Sequence, residues 1–382
     1  MRRLAALAVL SAVISPLRAL AQSAPAPEAV DFVVRDSRFA SGETLPELKL
    51  HATTLGHPRR DGKGRVTNAV LILHGTSGAG TNFLGPAFGG VLFGPGQLLD
   101  ATRYYLVLPD SVGHGASSKP SDGLHARFPH YTYDDMVVLQ HRLLTEKLNV
   151  NHVRLVLGTS MGGMHAWVWG ETYPEFMDAL LPLASQPAAI AGRNRMWRKV
   201  AMDAIRNDPD WKNGDYTAQP RGLQTAMDLM LMVIGSAWQW QIQAPTRDAA
   251  DAAAAGWIRD RAARTDANDL LYALDASRDY DPEPKLGAIT APLVAVNFAD
   301  DFINPPELGL LERGIAKVKH GRAVVFPLNE KTRGHATHSM PEVWKGTLEE
   351  LLRASEPKPE TTSAPSGASR RPLRRCPAVA GG

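Results

Sequence analysis

The chain has 382 residues, with 42 Lys and Arg against 39 Asp and Glu, and its single cysteine, Cys376, excludes an intramolecular disulfide. Residues 46–355 are enough for one large core plus an insertion. The basic surplus sits at the two ends, in Arg2, Arg3 and Arg18 and in a tail over 356–382 with five basic and two acidic side chains, so the slightly acidic body makes no case for nucleic-acid binding.

Taken in chain order, Arg2 and Arg3 precede an apolar run over 4–17, and Ala19-Leu20-Ala21 supplies a small-x-small cleavage pattern, so residues 1–21 read as a signal peptide. The run is short for a membrane span and contains Pro16. No later stretch approaches a span, so the expected product is soluble, periplasmic or secreted, without stable membrane insertion. Residues 22–44, which open with Pro25 and Pro27, read as a linker and N-terminal extension.

Short apolar runs then alternate with helical patterns. The runs 68–73 (NAVLIL), 104–108 (YYLVL) and 153–157 (VRLVL) each lead into a polar or glycine-containing loop, and 293–296 and 323–326 repeat the pattern later. Amphipathic spacing predicts a helix over 133–146, and another should follow over 161–172. Between 187 and 287 helical patterns dominate and no central strand is evident. The expectation is an α/β fold: a mostly parallel sheet with helices on both faces, its core split into 45–186 and 288–355 around a helical lid over 187–287. In such sheets the functional loops lie at the carboxyl ends of the strands.

The chemistry concentrates at Gly158-Thr159-Ser160-Met161-Gly162, where a strand runs directly into a helix. A serine on so tight a turn is exposed for attack, and the flanking glycines permit the turn. Met161 N–H then lies where an oxyanion would form. Gly75 and Thr76, in the loop after 68–73, are the expected source of the second donor, through the Thr76 N–H. Ser77 lacks the strand–turn–helix setting. The base is a histidine late in the chain: His335 or His338, with His335 favoured by its place directly after Gly334. Asp300 and Asp301 compete for the acid. A metal site is poorly supported by two histidines three residues apart with no matching carboxylate motif. Asp110 reads as a structural loop residue.

Phe128-Pro129 with Thr132 and Asp135, the stretch GTSMGGMHAWVW, Asp208-Pro209-Asp210-Trp211, Asp266-Ala267-Asn268 and Asp301 with Pro305-Pro306-Glu307 carry a family pattern. Across roughly 45–352 the chain resembles the homoserine O-acetyltransferases and their close relatives among the α/β-hydrolases. The resemblance implies Ser160 as nucleophile, Asp301 as acid, His335 as base, a lid that narrows a substrate tunnel, and neither metal nor cofactor; it also allows a homodimer paired through the lid. It further implies a substrate-gripping arginine and aspartate where this chain has Met202 and Ala336. Gly75, Met202 and His338 are therefore candidate pocket residues, and Arg195, Arg198 and Lys199 could stand in for the arginine.

The expected activity is hydrolysis of a small-molecule carboxylic ester through an acyl-enzyme, favoured by export away from acyl-CoA. The alternatives are O-acyl transfer to homoserine or another hydroxyl, and a non-catalytic binding protein that keeps the fold. Five tryptophans of the lid (197, 211, 238, 240 and 257) suit an apolar entrance or the lid's own core.

Overall fold

The computed structural model describes residues 24–356. The expected signal peptide, Cys376 and all but the first residue of the expected tail lie outside them. Among the described residues eight strands form one sheet in the order β1-β2-β4-β3-β5-β6-β7-β8: β1 Glu28–Arg38, β2 Thr44–Leu55, β3 Ala69–Leu73, β4 Tyr105–Asp110, β5 Leu155–Thr159, β6 Leu180–Leu183, β7 Leu293–Phe298 and β8 Gly321–Phe326. From β4 onward every pairing is parallel, while β1–β2 and β2–β4 are antiparallel.

Alternation along the central strands explains why both faces are covered. Leu71, Leu73, Val107 and Val156 enter one apolar cluster, and Val70, Ile72, Leu106, Leu108, Leu155 and Leu157 enter the other. Successive side chains of a strand point to opposite faces, so an unbroken apolar run needs a helical layer on each side. Each such side chain contributes roughly 1.5–3 kcal/mol when fully buried.

Residues 22–44 are not a linker throughout: β1 begins at Glu28 and pairs with β2 along its length. Their strand character is masked because β1 is an edge strand with only Val34 and Ser37 buried. Strand β6 is also a departure from the sequence expectation. It is only four residues long and contains Pro182, yet it is wholly buried between β5 and β7.

The helices are α1 Gly89–Leu92, α2 Tyr133–Arg142, α3 Met161–Thr172, α4 Gly192–Arg206, α5 Arg221–Ile234, α6 Ala237–Gln243, α7 Arg247–Ala262, α8 Ala267–Asp275, α9 Leu310–Ile315 and α10 Pro341–Ala354. Helix α2 starts at a reciprocal cap in which Asp135 N–H donates to Thr132 Oγ1 (3.2 Å) and Thr132 N–H donates to Asp135 Oδ2 (2.9 Å). Beyond Arg142 the expected helix widens into a π turn over Leu143–Lys147.

Helices α4–α8 form the helical insertion between β6 and β7. Its core is the α4–α5 contact, where Ala201, Met202 and Ile205 bury against the apolar face of α5. Met202 is completely enclosed there. The lid tryptophans divide: Trp197 is buried, Trp211 donates to Asn268 Oδ1 (2.8 Å), and Trp238 is exposed.

Candidate active site

Ser160 stands at the junction of β5 and α3, at φ 54°, ψ −113°. A non-glycine residue reaches this region only at a cost of about 1–3 kcal/mol. The turn is held by Ser160 N–H donating to the Leu183 carbonyl (2.9 Å) and by Met164 N–H donating to the Ser160 carbonyl (2.9 Å). It closes only because its flanks are glycine: a Cβ on Gly158 would overlap the Gly162 carbonyl, and one on Gly162 would overlap the Leu73 carbonyl. Helix α3 behind the turn has no solvent face over its first ten residues.

His335 and Asp301 converge on Ser160. His335 Nε2 lies 2.7 Å from Ser160 Oγ, and His335 Nδ1 lies 2.9 and 3.0 Å from the two Asp301 oxygens. With Nδ1–H donated to the carboxylate, Nε2 carries the lone pair that accepts the serine proton. Asp301 also accepts from the N–H groups of Ile303 (2.9 Å) and Asn304 (3.0 Å). Burial alone would push its carboxyl up. The facing His335 and these hydrogen bonds outweigh burial and hold it below the ordinary carboxylate value.

The competing residues have other partners. Asp300 accepts from Gly334 N–H (2.9 Å), which shapes the loop before His335 without touching its ring. His338 packs edge-on against His335 at 5.2 Å between ring centres. Burial, with His335 beside it, pushes His338 down to about 3, so it stays neutral. Asp110 accepts from Gly80 N–H (2.7 Å), Ala116 N–H (2.8 Å) and His51 (3.0 Å), as a loop anchor does. Among the described residues Ser77 makes no hydrogen bond to a histidine.

The loop after β3 brings Gly75 against Ser160, its Cβ position 3.3 Å from Ser160 Cβ. His74, buried beneath, was not singled out from the sequence, yet it controls this loop. Its Nδ1 contacts the Gly75 carbonyl (2.9 Å), which also accepts from Gly78 N–H (3.0 Å), and its Nε2 accepts from Ser111 N–H (3.0 Å). Those partners fix the tautomer with hydrogen on Nδ1. Because a trans peptide is planar, fixing the Gly75 carbonyl turns the Thr76 N–H the opposite way. The Met161 N–H, in the first turn of α3, has no acceptor within its helix. They are the two N–H groups that the sequence offers as oxyanion donors. Burial holds His74 below its ordinary value and therefore uncharged.

The lid reaches this centre through α4. Asn194 Nδ2 approaches Asn304 Oδ1 (3.5 Å), and Asn304 Nδ2 approaches Asp301 Oδ2 (3.4 Å). On the same helix Arg198 is buried, donates Nε–H to Asn194 Oδ1 (3.1 Å), lies over the Trp197 ring, and faces the Tyr133 hydroxyl, which in turn faces Thr76. Its Nη1 has no partner, and no carboxylate pairs with it among the described residues. Sequence spacing gives no signal for Asn194 or Asn304. No cluster of His, Cys, Asp and Glu suited to a metal occurs among the described residues, and no helix among them is long and apolar enough to cross a membrane.

A family model described as "alpha/beta hydrolase fold" matches residues 68–312. A "Probable acyltransferase" of Methanothermobacter thermautotrophicus is 30% identical over 284 residues, 72% of this chain and 84% of that protein. A "Homoserine O-acetyltransferase" of Moorella thermoacetica is 31% identical over 308 residues, 70% of this chain and 80% of the other. Among solved structures, homoserine O-acetyltransferase from Bacillus anthracis matches with a TM-score of 0.75 at 20% identity, covering 85% of this chain and 97% of that one. An acetylester hydrolase from Corynebacterium glutamicum matches with a TM-score of 0.74 at 18% identity, covering 85% and 96%. Likeness at those identities concerns the fold alone.

Proposed function

The chain belongs to the alpha/beta-hydrolase superfamily, and from that membership we propose that it is a carboxylic ester hydrolase, exported to the periplasm or beyond. It is an enzyme with a Ser-His-Asp-type site acting on acyl or ester groups; the proposal concerns what accepts the acyl group. Ser160 Oγ attacks the ester carbonyl and gives its proton to His335 Nε2, which hands it to the departing alcohol. Thr76 and Met161 N–H groups hold the oxyanion, and Asp301 stabilises the imidazolium. Water then attacks the acyl-Ser160 ester with His335 as base, releasing the acid and restoring the serine.

The observation that carries the hydrolytic reading is the absence of charge at two positions. Ala336 follows His335, and Met202 is enclosed in the α4–α5 core. The resemblance to acetyltransferases implies an aspartate and an arginine at these positions, and each missing charge-assisted contact would be worth roughly 1.5–3 kcal/mol toward an amino-acid acceptor.

Acyl transfer to a hydroxyl acceptor is the second reading, favoured by the names of the curated relatives and by buried Arg198, whose Nη1 has no partner. One experiment separates them. Purified protein is given acetyl esters of graded leaving-group size, and separately acetyl-CoA with homoserine, alongside Ser160→Ala. Ester turnover with little acetyl-homoserine is expected, and Ser160→Ala should lower turnover by about 10⁶-fold. Acetyl-homoserine formed faster than acetate would overturn hydrolysis in favour of transfer.

A further inference from the structure

A cavity of about 480 Å³ lies between the segment joining β6 to α4 and the loop that follows Asp301. Ser160, His335, Gly75 and Thr76 are not in its walls, although Asn194 and Asn304, which lead to Asp301, are. Its apolar surface comes from Met164, Ile190, Ile303, Leu308 and Leu310, and the small residues Ala188, Ala189 and Ala191 leave its middle open. Size and lining are those of a small-molecule site, in which a few polar groups fix the orientation of an apolar body.

Its charged groups indicate which molecule. Arg193 is held in place by donating to the Phe302 carbonyl (2.7 Å) and stacking 3.6 Å over the Phe302 ring. Arg313 donates to the Leu308 carbonyl (2.9 Å). Each guanidinium is thus anchored by one neutral carbonyl, with donors to spare, and neither forms an ion pair among the described residues. The wall contains one carboxylate, Glu307, which is exposed. Arg193 and Arg313 are exposed at the rim like Glu307, so within the walls two cations stand against one anion above an apolar floor, with Glu283 outside the walls also acting on Arg313.

We propose that this cavity is a second ligand site, for a medium-chain aliphatic carboxylate. The chain lies among Met164, Ile190, Ile303 and Leu310, and the carboxylate is taken by Arg193 and Arg313. Occupancy requires no chemistry at Ser160.

Octanoate binding, measured by calorimetry on the full chain, tests the site, with octylamine as the charge control. The Ser160→Ala variant and protein with Ser160 blocked by a fluorophosphonate should both bind octanoate as wild type does. Leu310→Trp, which fills the floor, and the double change Arg193→Met with Arg313→Met should each weaken binding by about tenfold or more. Fluorophosphonate labelling of these variants reports that they are folded. Equal affinity for octylamine, loss of binding on blocking Ser160, or unchanged binding in Leu310→Trp would each overturn the proposal. Failure of the hydrolase reading would appear instead as absent ester turnover, with octanoate binding intact.

Discussion

Helices α3 and α7 are of similar length and opposite circumstance. Ten of the twelve α3 residues are buried and it starts at Ser160, whereas α7, with sixteen residues, buries none and lies in the insertion. Reaction geometry is thus rooted where packing permits no displacement, because a close-packed interior transmits any change of volume. On the proposed reading substrate preference is set from the insertion, whose outer helix α7 is held less tightly than α3. Substitutions in the sheet-borne centre should therefore change rate, and those in the insertion should change preference.

The sharpest test of that division is Asp301→Asn. It keeps the shape but favours the wrong imidazole tautomer, and kcat should fall by about 10⁴-fold with KM little changed. A comparable loss from any α7 surface substitution would break the comparison. His74→Ala comes next. Removing one anchor of the Gly75 carbonyl lets the Thr76 N–H turn, and the loss of an oxyanion donor should lower kcat by about 10²-fold while fluorophosphonate still labels Ser160.

On the insertion side, Arg198→Met should leave turnover of a neutral acetate ester within about twofold and weaken use of a carboxylate-bearing substrate by about tenfold, read as KM. Equal loss on both substrates would show that α4 serves the reaction itself.

The smallest effect concerns stability alone. Burial raises the Glu171 carboxyl to about 7, with Lys285 opposing, and its Oε2 has no partner. A carboxyl raised on folding favours the native state most below its unfolded value. That contribution disappears as pH rises through the folded one. Glu171→Gln should therefore raise stability by about 1 kcal/mol at pH 8, a shift of about 1–2 °C in Tm, and by almost nothing at pH 4.

Much of the sheet and the whole Ser160 turn were legible because their signals are local. Strand β3 is an unbroken apolar run and β4 and β5 each begin with one, and Gly158 and Gly162 flank the serine in the sequence itself. The choice between Asp300 and Asp301 was not local. Both are acidic and adjacent, so spacing leaves them open and only the family resemblance points to Asp301; folding turns Asp300 to Gly334 N–H and Asp301 to His335. The β1–β2 hairpin escaped notice because charged residues such as Asp31, Arg35 and Asp36 are tolerated where one strand face meets water. Strand β6 hid behind Pro182, which ordinarily argues against a central strand. Asn194, Asn304 and His74 act through partners brought together from distant segments, so no spacing could mark them.

The positive φ of Ser160 carries a consequence for lineages in which the activity is no longer needed. Glycine adopts that backbone without penalty, so Ser160→Gly would abolish the nucleophile and relax the turn together. Descendants released from selection for catalysis would thus gain rather than lose thermal robustness at this position, and a glycine there would be the fossil of an abandoned reaction.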